Sequence, residues 1–112
     1  MLDIRRTDTF VTNGRAYNIK SVEPYTGFGT TASFARMATQ TASVQRRPAV
    51  ASGERANLQT VIPSLKCTPL DPVQADVALD PGLKQPHILL QTFCGDATGF
   101  FKLIVQDKDL SS

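Results

Sequence analysis

The sequence predicts a small, mainly β domain: an antiparallel β-barrel or sandwich with two hairpins, a long projecting arm or loop and at most a short helix. Three observations predict it. Asn13-Gly14 stands between two runs rich in β-branched and aromatic residues, and this pair meets the positive φ that both central positions of a type I′ turn require. Two dense apolar runs, 87–93 and 100–105, are joined by a Gly- and Asp-containing stretch and read as a second hairpin. Finally, 112 residues with 41% hydrophobic and 20% charged side chains suit one domain with its own core and exclude the disordered class. The domain expected is therefore 1–112, with 25–56 as the projecting arm.

The elements follow in order. Residues 3–11 and 15–23 are the arms of the opening hairpin. In the second arm Tyr17, Ile19 and Ser21 fall on one face, and Ala16, Asn18, Lys20 and Val22 on the other. Glu23-Pro24 is expected to end the strand, because proline cannot donate to a ladder and restricts the residue before it. Gly27, Phe28, Gly29, Thr30 and Thr31 read as a turn. The stretch 32–47 is built almost wholly of small residues, Thr, Gln and Arg. As a helix it aligns Phe34, Met37, Ala38 and Thr41 on a weak stripe; its Thr and Val content favours extended structure over 39–47, and 31–38 stays open between the two. So few large apolar groups bury little surface against their own domain, which predicts an arm ordered by a neighbour.

Pro48 to Arg55 reads as a turn region with Ser52-Gly53-Glu54 at its tip. A strand over 57–62 is interrupted at Pro63 and resumes over 64–68, an arrangement that points to an edge or a bulge. Residues 69–86 carry Pro69, Pro72, Pro81 and Pro86, with Asp71-Pro72 and Asp80-Pro81-Gly82 as turn formers. This is a long connection with one helical turn near 73–77. The final hairpin, apolar on both faces, is expected at the centre of the core or of an interface.

Charge is unevenly placed within a net +2: the bases lead up to Arg55, and from Lys66 onward the aspartates outnumber the lysines. That polarity suits head-to-tail contacts between copies, and equally the solvated faces of one monomer. No apolar run has transmembrane length, and the first six residues lack the apolar core of a secretion signal. The expectation is a cytosolic chain in which Cys67 and Cys94 are buried free thiols; whether they pair depends on their strand ends being neighbours, which stays open.

Motifs for chemistry are sparse. The sequence has no Walker A loop, no GxGxxG, no GxSxG and no CxxC or HxxxH spacing. His87 reads as structural or exposed, and neither cysteine is marked as activated for a Cys–His pair. Asp71, Asp76 and Asp80 do not fit a calcium loop. No catalytic residue, metal site, cofactor or small-molecule substrate is expected, and an enzyme is the least favoured class. The candidate interface residues are Phe28, Phe34, Arg36, Met37, Arg46, Arg47 and Arg55, all on the expected arm. Arg46 and Arg47 are the candidates for contact with DNA phosphates, although no interleaved aromatics provide a stacking platform.

The run Gly14-Arg15-Ala16-Tyr17-Asn18-Ile19-Lys20-Ser21-Val22 resembles the G-x-x-Y-x-I-x-x-V hairpin of small head–tail connector proteins of tailed bacteriophages, the head-completion, stopper and joining proteins. The stretch 65–72 is similar to a segment found in some of them. The resemblance covers about a third of the chain. It implies a small β-barrel with protruding loops, assembled as a homo-oligomeric ring in the neck of the virion. Its partners would be further copies of itself, adjoining portal or adaptor and tail proteins, and packaged DNA by non-specific contact, with no membrane. The alternatives are another virion component, of capsid-decoration or tail-terminator type, and a small cellular nucleic-acid-binding β-barrel.

Overall fold

In the computed structural model, residues 2–48, 57–73 and 89–109 are described. Asn13 and Gly14 take φ of 53° and 75°, as a type I′ turn requires. They join β1 (Thr9–Thr12) to β2 (Arg15–Tyr25), with Thr12 opposite Arg15 and Thr9 opposite Asn18. The first arm is shorter than 3–11, because the chain turns at its start: the Asp8 amide donates to the Arg5 carbonyl. The second arm runs past Glu23 to Tyr25. Pro24 sits opposite Phe101 of a later strand, and β1 flanks β2 only as far as Asn18. On that open side a missing N–H leaves no ladder bond unmade.

A bulge at Lys20 changes the faces of β2. Ile19 pairs with Val105 and Ser21 with Ile104, so β2 has one residue more than its partner. Tyr17 and Ile19 point into the core as the alternation predicts. Past the extra residue it is Val22, not Ser21, that packs against the core.

The segment 25–56 does not project as a whole. Its first part returns onto the domain as helix α1 (Thr31–Met37), and its middle is β3 (Gln40–Arg46), a full strand between β1 and β4 (Gln59–Cys67). Ala42 and Val44 of β3 are completely buried. Small side chains do not push this strand out of the domain, because an inward position opposite Phe10 and Leu65 needs little volume. Residues 49–56, including Arg55, lie outside the described residues, as do His87 and all but Val73 of the helical turn expected near 73–77.

β4 is continuous through Pro63. Val44 pairs with Ile62 but Ala42 with Leu65, so Pro63 and Ser64 form a bulge that frees the proline from ladder duty. Asp71-Pro72 is not a turn but the two-residue strand β5, opposite Gln91 and Leu90 of β6 (Leu90–Asp96). The last hairpin is tighter than predicted. β6 and β7 (Gly99–Asp107) meet across Ala97-Thr98, and Cys94, Gly95 and Asp96 are strand residues. Gly95 is required there, since a Cβ would collide with the Gly99 carbonyl and the Phe100 ring.

The antiparallel sheet runs β4-β3-β1-β2-β7-β6-β5, and β4 also pairs with β6 through Lys66–Gly95 and Cys67–Cys94. That additional pairing closes the sheet into a small barrel. Its interior takes Phe10 from β1, Tyr17 and Ile19 from β2, Ala42 and Val44 from β3, Leu65 and Cys67 from β4, Cys94 from β6, and Leu103 and Val105 from β7. At the closing seam Cys67 and Cys94 are directly opposite and form a disulfide, Cα–Cα 4.2 Å. The expectation of free thiols is therefore corrected. Both cysteines are buried as expected, but the strand ends that carry them are neighbours.

Candidate functional site

The outer face of the barrel carries a second apolar layer. On β6 and β7 the inward residues alternate with Phe93 and Phe100, which point outward beside Tyr25 of β2. The tight loop after β2 lays Phe28 on them, with ring centroids 5.1 Å from Tyr25, 5.6 Å from Phe93 and 5.5 Å from Phe100. Helix α1 adds Phe34, 5.2 Å from Phe28 and 4.7 Å from Phe100. Most of these pairs are edge-to-face, the arrangement in which the positive ring edge meets a negative face. The helix begins where Thr30 Oγ1 accepts the Ser33 amide at 3.1 Å, an N-cap that satisfies one of the free donors of the first turn. Phe28 and Phe34, two of the candidate interface residues, fasten α1 to the barrel.

Fastening α1 leaves its far side open. Met37, in the last turn, is 55% exposed, and Arg36 beside it is exposed where a cation suits the helix C-terminus. Between α1 and the barrel lies an apolar groove of about 360 Å³, bounded by Leu2, Phe34, Ala38, Leu65 and Ala97, with Lys66 and Asp96 at its edge. Hydrogen bonds from the Thr98 side chain and amide hold the Asp96 carboxyl below the usual range. A second hollow of about 460 Å³ lies on the other side of the aromatic layer, between Pro24, Tyr25, Gly29, Phe100 and Phe101.

The strand β4 offers a different surface. From Gln59 to Ser64 its only strand partner among the described residues is β3, so among them its other backbone edge carries no ladder. No charged side chain occurs between Asn57 and Leu65, and Val61 is 40% exposed. Natural edge strands usually carry a charge, a proline or a bulge against unwanted pairing; here Pro63 and the register irregularities on either side of Ile62 serve.

The arginines are differently placed from what their spacing implied. Arg46 closes on Asp8 with two hydrogen bonds of 2.7 Å, from Nε to Oδ1 and from a terminal nitrogen to Oδ2. Its Nη2 also reaches the Asp3 carbonyl at 2.9 Å. Asp8 is buried and additionally accepts the Arg5 amide at 2.9 Å. This fork ties the end of β3 to the turn before β1, and the hydrogen bond to Asp8 raises the already high pKa of Arg46. Asp3 lies outside it, its carboxyl lowered by Arg5 and then by Arg46. Arg46 is a structural residue, not a guanidinium turned to solvent for phosphate. Arg47 follows it on the exposed surface, and Arg55 lies outside the described residues.

Of the candidate residues, Phe34 is buried and Phe28 half-buried in the aromatic layer, Arg46 is ion-paired with Asp8, and the side chains of Arg36, Met37 and Arg47 are exposed. Asp8 and the seam cysteines are the structurally decisive residues that the motif search did not select. Among the described residues no cluster of three or more His, Cys, Asp or Glu is placed to hold a metal, and no helix is long and apolar enough to cross a membrane. No family model, curated protein or solved structure matches the chain.

Proposed function

We propose that this chain is a structural protein of a tailed-phage neck, forming a homo-oligomeric ring that joins or closes the head–tail junction and performs no catalysis. The observation that carries the reading is the role of the resembling motif. Gly14 holds the positive-φ turn, Tyr17 and Ile19 are core residues of the barrel, and Val22 packs against them across the Lys20 bulge. Spacing of two and then three residues is what a strand with one bulge needs to keep its apolar side chains on one face, so the motif is written by the packing of this kind of barrel. Shape and apolar contact supply the mechanism. The uncharged stretch of β4, which on one side has no strand partner among the described residues, offers strand addition to an adjacent copy, while Met37 and Arg36 present the outer side of α1 to neighbouring proteins. Contact with packaged DNA falls to Arg47 on this reading.

The test is assembly. Size-exclusion chromatography with light scattering, followed by electron microscopy of purified protein mixed with portal-bearing heads, should give a ring of defined copy number at one vertex. Uniform decoration of the shell would replace the neck reading with a cement protein, and a protein that stays monomeric and leaves heads unaltered would sink both.

A further inference from the structure

We propose that the Cys67–Cys94 bridge is a redox latch, one that locks the barrel at the β4–β6 seam when oxidised and lets that seam open when reduced. The inference does not depend on the neck reading. It starts from how unevenly the barrel is held. The β2–β7 ladder runs from Tyr17 to Tyr25 and the β6–β7 ladder spans all of β6. The seam has Lys66–Gly95 and Cys67–Cys94, extended by Thr68, whose amide donates to the Phe93 carbonyl and whose Oγ1 accepts the Phe93 amide, both at 2.9 Å. Thr92 Oγ1 donates to the Thr68 carbonyl at 2.6 Å. Beyond these lies the two-residue pairing of β5. The disulfide therefore sits on the shortest continuous ladder in the ring.

Its surroundings make it sensitive to oxidation state. Cys67 and Cys94 are 1% and 0% exposed, packed in one cluster with Leu65, Leu103 and Val105. Reduction moves two sulfurs from bonding to van der Waals separation inside a close-packed region, a strain that parting of the strands relieves. Conversely, a reductant reaches the bond only through an opening of the seam. The exchange is balanced by an external thiol pair: a thiolate attacks one sulfur to give a mixed disulfide, a second thiolate displaces it, and the chain gains two electrons and two protons while the reductant becomes its own disulfide. A chain synthesised among reducing thiols carries the open seam, and oxidised glutathione or a similar small disulfide closes it.

The experiment compares hydrogen exchange, read by mass spectrometry, of the oxidised protein, the same protein equilibrated in excess dithiothreitol, and Cys94→Ala. Alkylation before and after denaturation counts accessible thiols in each. We expect no reactive thiol in the oxidised protein. On reduction, exchange should speed about tenfold or more over 66–73 and 90–95 with little change in the β1–β2 hairpin, and Cys94→Ala should match the reduced form and ignore dithiothreitol. Unchanged seam exchange on reduction would overturn the latch, as would an equal loss of protection throughout the barrel. Two alkylatable thiols after incubation with oxidised glutathione would overturn the bond itself.

Discussion

Asp8 shows how one buried carboxylate can set the position of three segments. Its two oxygens receive Arg46 from β3 and the Arg5 amide from the preceding turn, and its own amide returns to the Arg5 carbonyl. Removing the carboxylate leaves a guanidinium that is four-fifths covered without its partner. Asp8→Ala should therefore cost about 2–3 kcal/mol in urea unfolding, and a double-mutant cycle with Arg46→Met should recover part of that loss. Nothing local marks Asp8 in the sequence: its partner is 38 residues away, and only strand pairing brings them together. Tyr17 carries the pH prediction. Burial pushes its phenol above the ordinary value, and Asp107 adds to the shift. A raised pKa on an acid means that the folded state prefers the neutral form. Its contribution is complete below the unfolded tyrosine pKa near 10 and disappears as pH rises through the folded value. Chemical denaturation from pH 9 to 12 should show stability falling at the alkaline end, less so in Tyr17→Phe.

Among the elements, the opening hairpin was the most legible in the sequence, since its turn depends on two adjacent residues. Gly14→Ala meets no steric clash but must hold φ near 75°, and should cost about 1 kcal/mol by thermal unfolding with the fold retained. Bulges were less legible. The extra residues at Lys20 and Pro63 reverse which side chains point inward, and period-two alternation does not announce where it will slip. Helix α1 was legible only as an ambiguity, because the Phe34 side chain that decides it is matched to the Phe100 ring on β7, far along the chain. This makes α1 separable. Phe34→Ala removes its one buried ring and should cost about 3 kcal/mol, with loss concentrated in the segment 26–38. Limited proteolysis should cut there first, while near-ultraviolet signals from Tyr17 and the seam persist; simultaneous loss of both would mean that the helix and barrel form one cooperative unit.

On the scale of the whole molecule, the front-to-back charge polarity of the sequence is partly consumed within one copy. β2 and β7 are neighbours, so Arg15 of the basic front meets Asp107 of the acidic back at 3.3 Å. Such pairing within one copy weakens charge as the device for stacking copies and leaves uncharged surfaces as the better one. The β4 edge is the surface that fits. Among the described residues its backbone from Gln59 to Ser64 has no strand partner but β3, that stretch carries no charge, and its exposed apolar side chain is Val61. The proposed ring assembly can be separated from folding at this position. Val61→Lys introduces a gatekeeping charge on an exposed residue, so unfolding free energy should stay within about 0.5 kcal/mol of the parent. Light scattering should nevertheless show the ring dissociating into monomers. Met37→Glu, on the outer side of α1, should leave the ring intact and weaken only its attachment to heads, since that surface is not a strand edge. An undiminished ring in Val61→Lys would move the intersubunit contact away from β4 and onto the helix.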